Sequence, residues 1–203
     1  MNTTIEHPFV LVVEGKDEER FFGALLRHMG IGNVQVLGIG GKANLTRHLK
    51  GLVLTPSFSQ VVGLGVVRDG DHDPAAAFQS VCHSLDAARL AVPTVAGQLS
   101  GAMPGVAVLI VPHEGTGALE DICLSSVAND PAIPCITAFF DCVQPLLGAP
   151  RHMGKAKVQA FLSCRPEEGK RLGEAAEAGY WPWEAACFGV VTEFIRLVTT
   201  AET

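Results

Sequence analysis

The stretch "VVGLGVVRDGDHDP", residues 61–74, closes an apolar run with three aspartates spaced two apart, Asp69, Asp71 and Asp73. Carboxylates this crowded repel one another unless something positive sits among them. Two other apolar runs also open onto acids. "FVLVV" leads into Glu14, and the run that closes at Pro112 leads into "HEGTGALED", carrying Glu114, Glu120 and Asp121. Several hard oxygen donors without a matching set of thiols or imidazoles suit magnesium or manganese better than zinc. Such an ion can orient and polarise a phosphate and assist an attacking water or a leaving oxygen.

These acids need elements to bring them together. "PFVLVV" (8–13) is a short, valine-rich apolar run, the pattern of a strand buried on both faces. The period then changes: Phe21, Phe22, Leu25, Leu26 and Met29 recur at helical spacing, and Gly30 closes the helix. "NVQVLGIGG" reads as a second strand, "KANLTRHLKGLV" as a short amphipathic helix and "VVGLGVVRD" as a third strand. "PAAAFQSVCHSLDAARL" is a helix opened by Pro74, and "VAVLIVP" (106–112) is a further strand. The intervening "PTVAGQLSGAMPG" could add an edge strand or hairpin. Strands alternating with helices predict an α/β fold with an open, mainly parallel sheet of four to five strands, Rossmann-like and flanked by helices. In such sheets the functional crevice lies outside the carboxyl ends of the strands, where these acids fall.

Beyond residue 115 the pattern becomes helical, roughly over 117–128, 132–147, 154–163, 168–178 and 183–199. The expected organisation is an α/β domain over 1–128 and a helical extension over 129–203 packed on the same core. The last of these helices should cover a sheet face or edge. Tyr180, Trp181 and Trp183 are expected to form a packed corner rather than a base-stacking platform, since no basic residue interleaves them.

Composition narrows the function classes. The 203-residue chain is 48% hydrophobic and 18% charged, a globular balance. Its formal net charge of −6 does not favour a polyanion, so contact with DNA or RNA would have to be local and metal-assisted. A modest basic cluster, including Arg151, His152, Lys155, Lys157, Arg165, Lys170 and Arg171, is either a solvated helical face or a phosphate-binding one. The six cysteines show no CxxC pair and read as buried free thiols. No signal peptide precedes the first apolar run, and none reaches the about 18 residues a membrane span needs. A cytoplasmic, non-membrane protein is expected, with a protein partner or self-association left open.

"VVEGKDEERFF" resembles the first motif of the TOPRIM domain, a hydrophobic strand ending in Glu-Gly, and "VVRDGDHDP" resembles its Asp-x-Asp motif. The order of the two motifs, about 55 residues apart with an α/β unit between them, carries the resemblance. "VLIVPHEGTGALEDICL" and the tail "KAKVQAFLSCRPEEGKRLGEAAEAGYWPW" are similar to small stand-alone TOPRIM-related proteins. The resemblance extends to the overcoming-lysogenization-defect (OLD) type nucleases. It implies a TOPRIM-like sheet and a magnesium- or manganese-dependent, nuclease-like phosphoryl-transfer activity. Glu14 would be the general acid or base, and Asp69 and Asp71 the metal-binding pair. Gly15 would let the backbone turn without a side chain blocking a phosphate.

Around this centre alternatives stay open. Asp73 is an added ligand or, the favoured reading, the N-cap of the helix at Pro74. Glu120 completes the metal shell or decorates the first turn of a helix. Lys16 and Lys155 neutralise phosphate charge or are ordinary surface lysines, and His72 and His113 are loop histidines near the crevice. No GxxxxGK[ST] loop occurs, and Tyr180, the sole tyrosine, is poorly placed as a nucleophile. The competing function is a non-catalytic module of the same fold that binds a protein, a nucleotide or a metal. A small-molecule phosphohydrolase is a third, though the Asp-x-Asp-x-Thr pattern is absent.

Overall fold

A computed structural model describes residues 4–112 and 115–201 of the chain. Four strands, β1 (Phe9–Val13), β2 (Val34–Gly38), β3 (Gly63–Asp69) and β4 (Gly105–Val111), form one sheet in the order β2-β1-β3-β4. Every pairing is parallel. This is the open α/β sheet expected from the alternation of elements, with four strands.

Side chains alternate across the strands, so the sheet has two apolar faces. Leu11, Val13, Val67, Leu109 and Val111 face one core, which they share with α1 (Lys16–His28), α4 (Leu119–Ser126), α5 (Ala132–Leu147), α6 (Met153–Ser163), α7 (Leu172–Glu177) and α8 (Gly189–Thr199). Val10, Val12, Leu64, Val66, Val108 and Ile110 face the other, with α2 (Leu45–Val53) and α3 (Pro74–Ala87). The chain leaves β1 for β2 along the first face, then crosses back through α2 to β3 on the second. The direction of winding therefore reverses between β1 and β3, and a crevice opens at their carboxyl ends.

Two glycines let α8 lie directly on the sheet. A Cβ at Gly63 would stand 2.4 Å from the Val198 carbonyl oxygen, and one at Gly65 would stand 3.1 Å from Val198 Cγ2. The final helix thus covers a sheet face as expected. It is shorter than its apolar pattern, because a 3₁₀ turn at Ala186–Phe188 precedes it. Trp181 is buried, stacks on Phe161 and donates its indole N–H to the Leu172 carbonyl, while Trp183 meets Phe21 edge-on. The packed aromatic corner is present.

Two expectations need correction. Residues 93–104 form no strand. Gly97 and Ser100 donate to the Val108 and Val106 carbonyls and so shield part of the β4 edge without a continuous ladder. Nor are all six cysteines buried: Cys135, Cys142 and Cys164 are exposed. The first two lie on α5, whose buried residues are Ile136 and Phe140, so its outward side keeps Cys135, Cys142, Phe139, Leu146 and Leu147 in solvent. Among the described residues no helix is long and apolar enough to cross a membrane.

Candidate functional site

The acids gather where the strands end. A cleft of about 410 Å³ is lined by Glu14 after β1, Asp69 at the end of β3, Asp71 in the loop that follows, and Glu120 and Asp121 in the first turn of α4. Glu18 of α1 joins them. The start of α6 closes the far side with Arg151, His152 and Lys155. Its close approach depends on Gly154, where a Cβ would stand 2.7 Å from Asp121 Oδ1.

Each acid has a different set of partners. Asp69 Oδ1 accepts from the Leu119 N–H at 3.1 Å, at the positive end of α4. Burial pushes its carboxyl up to about 8; Glu120 and Glu14 add to the rise and the Leu119 N–H opposes it. Burial also raises Glu14, the Arg68 guanidinium opposing and Glu18 and Asp71 adding. Glu120 is raised by burial, with a backbone hydrogen bond and the Lys155 ammonium opposing. Carboxylates from the ends of β1 and β3 and from the first turn of α4 thus share one partly buried place, where burial disfavours their ionised forms.

The remaining acids are committed elsewhere. Asp71, at φ +49°, exchanges backbone hydrogen bonds with Gly117, and its carboxylate holds Lys42 Nζ at 2.7 Å. Asp73 Oδ1 accepts from the Ala76 N–H at 2.9 Å and caps α3, so the favoured reading of that residue holds. It is absent from the lining of the acid cleft. Asp121 Oδ2 accepts from the Ala118 N–H at 2.8 Å and secures the start of α4. Of the two lysines, Lys155 lines the cleft and Lys16 is exposed on the first turn of α1, outside the lining. His72 also lines the cleft; His113 and Glu114 lie outside the described residues.

Sequence reasoning missed Arg68, Lys42 and Glu18. Arg68 Nε stands 3.8 Å from Glu14 Oε1, and both atoms are buried without a hydrogen-bond partner among the described residues. A charged residue inside the apolar run "VVGLGVVRD" is the signal that could have flagged it.

Could these residues hold a cation? Among the described residues no three His, Cys, Asp or Glu side chains form a group able to hold a metal ion as they stand. Magnesium, however, commonly takes only one or two carboxylates and completes its octahedron with water and substrate phosphates. Asp69, with Glu14, Glu120 and Asp71 beside it in the cleft, offers that kind of open donor set, and Glu14 Oε1 accepts no hydrogen bond among the described residues. The residues present fit such an ion.

Similar folds are known. The C-terminal region of the OLD protein of Xanthomonas campestris pv. campestris matches with a TM-score of 0.51 at 16% identity, over 96% of each chain. That of the Burkholderia pseudomallei OLD protein matches with a TM-score of 0.53 at 13% identity, over 97% of this chain and 99% of that one. At such identities the likeness is one of fold. No curated protein matches the sequence. A family model does match, from residue 8 to residue 200, and the chain therefore belongs to the family described as "Protein of unknown function (DUF3226)".

Proposed function

We propose that this protein is a magnesium- or manganese-dependent, nuclease-like enzyme that hydrolyses phosphodiester bonds of a nucleic acid. The observation that carries the reading is the position of Asp69: half-buried, at the reversal of the sheet, between carboxylates from the ends of two other elements. The TOPRIM-like order of its Glu-Gly and Asp-x-Asp motifs supports it, as does a fold like that of the OLD C-terminal regions.

Asp69 and Asp71 would hold the ion, with Glu120 at its flank, and the bound ion would supply charge neutralisation and polarisation of a phosphate. The chain's own residues do the rest. The Leu119 N–H fixes one oxygen of Asp69, leaving the other free to face the cleft. Lys42 keeps Asp71 in place until substrate and ion compete for it. Glu14, raised by burial, can take a proton from the attacking water or give one to the leaving oxygen. Lys155 and Arg151, across the cleft, neutralise phosphate oxygens.

The test is hydrolysis of single- and double-stranded DNA and RNA by the full chain with Mg²⁺, with Mn²⁺ and with EDTA. Cleavage that requires the ion and disappears in Asp69→Asn supports the reading; cleavage undiminished in EDTA contradicts it. Two observations favour a non-catalytic binding module instead, the net charge of −6 and the neutralisation of Asp71 by Lys42. Specific nucleotide or metal binding without turnover of any substrate would select that alternative.

A further inference from the structure

A second cleft, of about 340 Å³, adjoins the acid cleft and has a different character. Lys42, Arg68, Arg151 and His152 line it, together with Asp71 and Asp73. Asp73 caps α3, and Asp71 and Lys42 pair with each other at 2.7 Å. The two clefts share Asp71, His72, Arg151 and His152, so only the loop after β3 divides them.

Strand geometry explains the pairing of opposite characters. Successive residues of a strand point to opposite faces. Asp69 follows Val67 toward the core that contains Leu119, and Arg68 follows Leu64 and Val66 toward α3, where its Nη1 meets Ser80 Oγ at 3.0 Å. One dipeptide at the end of β3 thus delivers a carboxylate to one cleft and a guanidinium to the other. The dividing loop is fixed: Gly70 N–H donates to the Val111 carbonyl at 2.8 Å, and Asp71 and Gly117 exchange both backbone bonds. Arg68 Nε, buried and without a hydrogen-bond partner among the described residues, faces Glu14 Oε1 at 3.8 Å, while the guanidinium also lines the second cleft. A guanidinium presents five donors, and those not engaged by Ser80 or turned to Glu14 can meet an anionic acceptor in the cleft.

We infer that the cleft of Lys42, Arg68 and Arg151 is a phosphate subsite, which takes the backbone phosphate next to the one lying over the acid cleft. This rests on the phosphodiester reading above and adds to it a direction, the strand crossing the sheet rim over residues 71–73. Contacts to phosphates position a strand without reading its sequence.

The test is binding of a short oligothymidylate to the full chain in EDTA, titrated with salt, for wild type, Arg68→Gln and Lys42→Gln. Lys42 is an exposed side chain, so its variant keeps the test meaningful if loss of Arg68 impairs folding. Each variant is expected to lower affinity several-fold at low salt and to flatten the log–log salt slope by roughly 0.7. Mn²⁺ binding, read by electron paramagnetic resonance, should persist in Arg68→Gln. Variants that bind with wild-type affinity and slope, or a wild type that binds no strand at low salt, would overturn the subsite. Metal-dependent cleavage alongside unaltered variant binding sinks the subsite and leaves the enzymatic reading intact. Altered variant binding without cleavage in any metal does the reverse.

Discussion

Asp69 Oδ1 accepts a hydrogen bond from the backbone N–H of Leu119, 3.1 Å away and 50 residues further along the chain. That bond ties the end of β3 to the first residue of α4 and puts a half-buried carboxylate at the positive end of a helix. Helix and hydrogen bond both favour the ionised form, yet burial and two neighbouring glutamates outweigh them. The site is therefore strained electrostatically by its own residues.

This imbalance has a pH signature. A carboxyl that titrates at about 8 when folded, against 3.8 for an ordinary aspartate, leaves the folded state holding more protons between those values. Stability contributed by that proton is present at low pH and is lost as pH rises across the window. In EDTA the wild type is expected to melt lower at about pH 8.5 than at about pH 5, and Asp69→Asn to flatten the difference. At the higher pH the variant should gain about 2 kcal/mol, or roughly 4–8 °C in Tm. A variant less stable than wild type there would contradict the assignment.

Glu14→Gln separates proton handling from ion holding. Hydrolysis should fall by about 10²–10⁴-fold while Mn²⁺ affinity falls far less. Equal losses in calorimetry and in turnover would make Glu14 chiefly a ligand.

Asp73→Ala removes a helix cap and not a ligand. The expected cost is about 1 kcal/mol of stability, seen in denaturant melts, with Mn²⁺ affinity unchanged. A collapse of ion binding would return Asp73 to the metal shell.

Gly173→Ala tests how the helical segment supports the site. A Cβ there would stand 2.3 Å from the Asp17 carbonyl oxygen, a backbone atom in the first turn of α1, just after Glu14. Arg20 and Glu174 form an ion pair across the same contact. The variant should lose about 1–3 kcal/mol in a thermal or denaturant melt. Full stability would show that α7 can shift away freely.

Much of this architecture was legible in the sequence, because buried parallel strands announce themselves as valine-rich runs and the acids sit where those runs stop. Glu14, Asp69, Asp71 and Glu120 were identified that way, and the structure brings all four to one cleft. What stayed hidden depends on relations between elements. Strand order is set by which helix covers which face, and no local pattern encodes it. Arg68 and Lys42 were passed over, since their meaning comes from Glu14 and Asp71, which lie far from them in the chain. Asp73 had two plausible local roles, and only the hydrogen bond to Ala76 decided for the cap. The cysteines of α5 read as core because that helix is apolar nearly all round, whereas its buried residues are Ile136 and Phe140.

The most direct measurement is anomalous diffraction from crystals of the protein grown or soaked with Mn²⁺, for wild type and Asp69→Asn. The account predicts a peak bonded to Asp69 inside the acid cleft, absent from the variant. A cleft without manganese at full soaking, or an ion that stays in place when Asp69 is replaced, would contradict it.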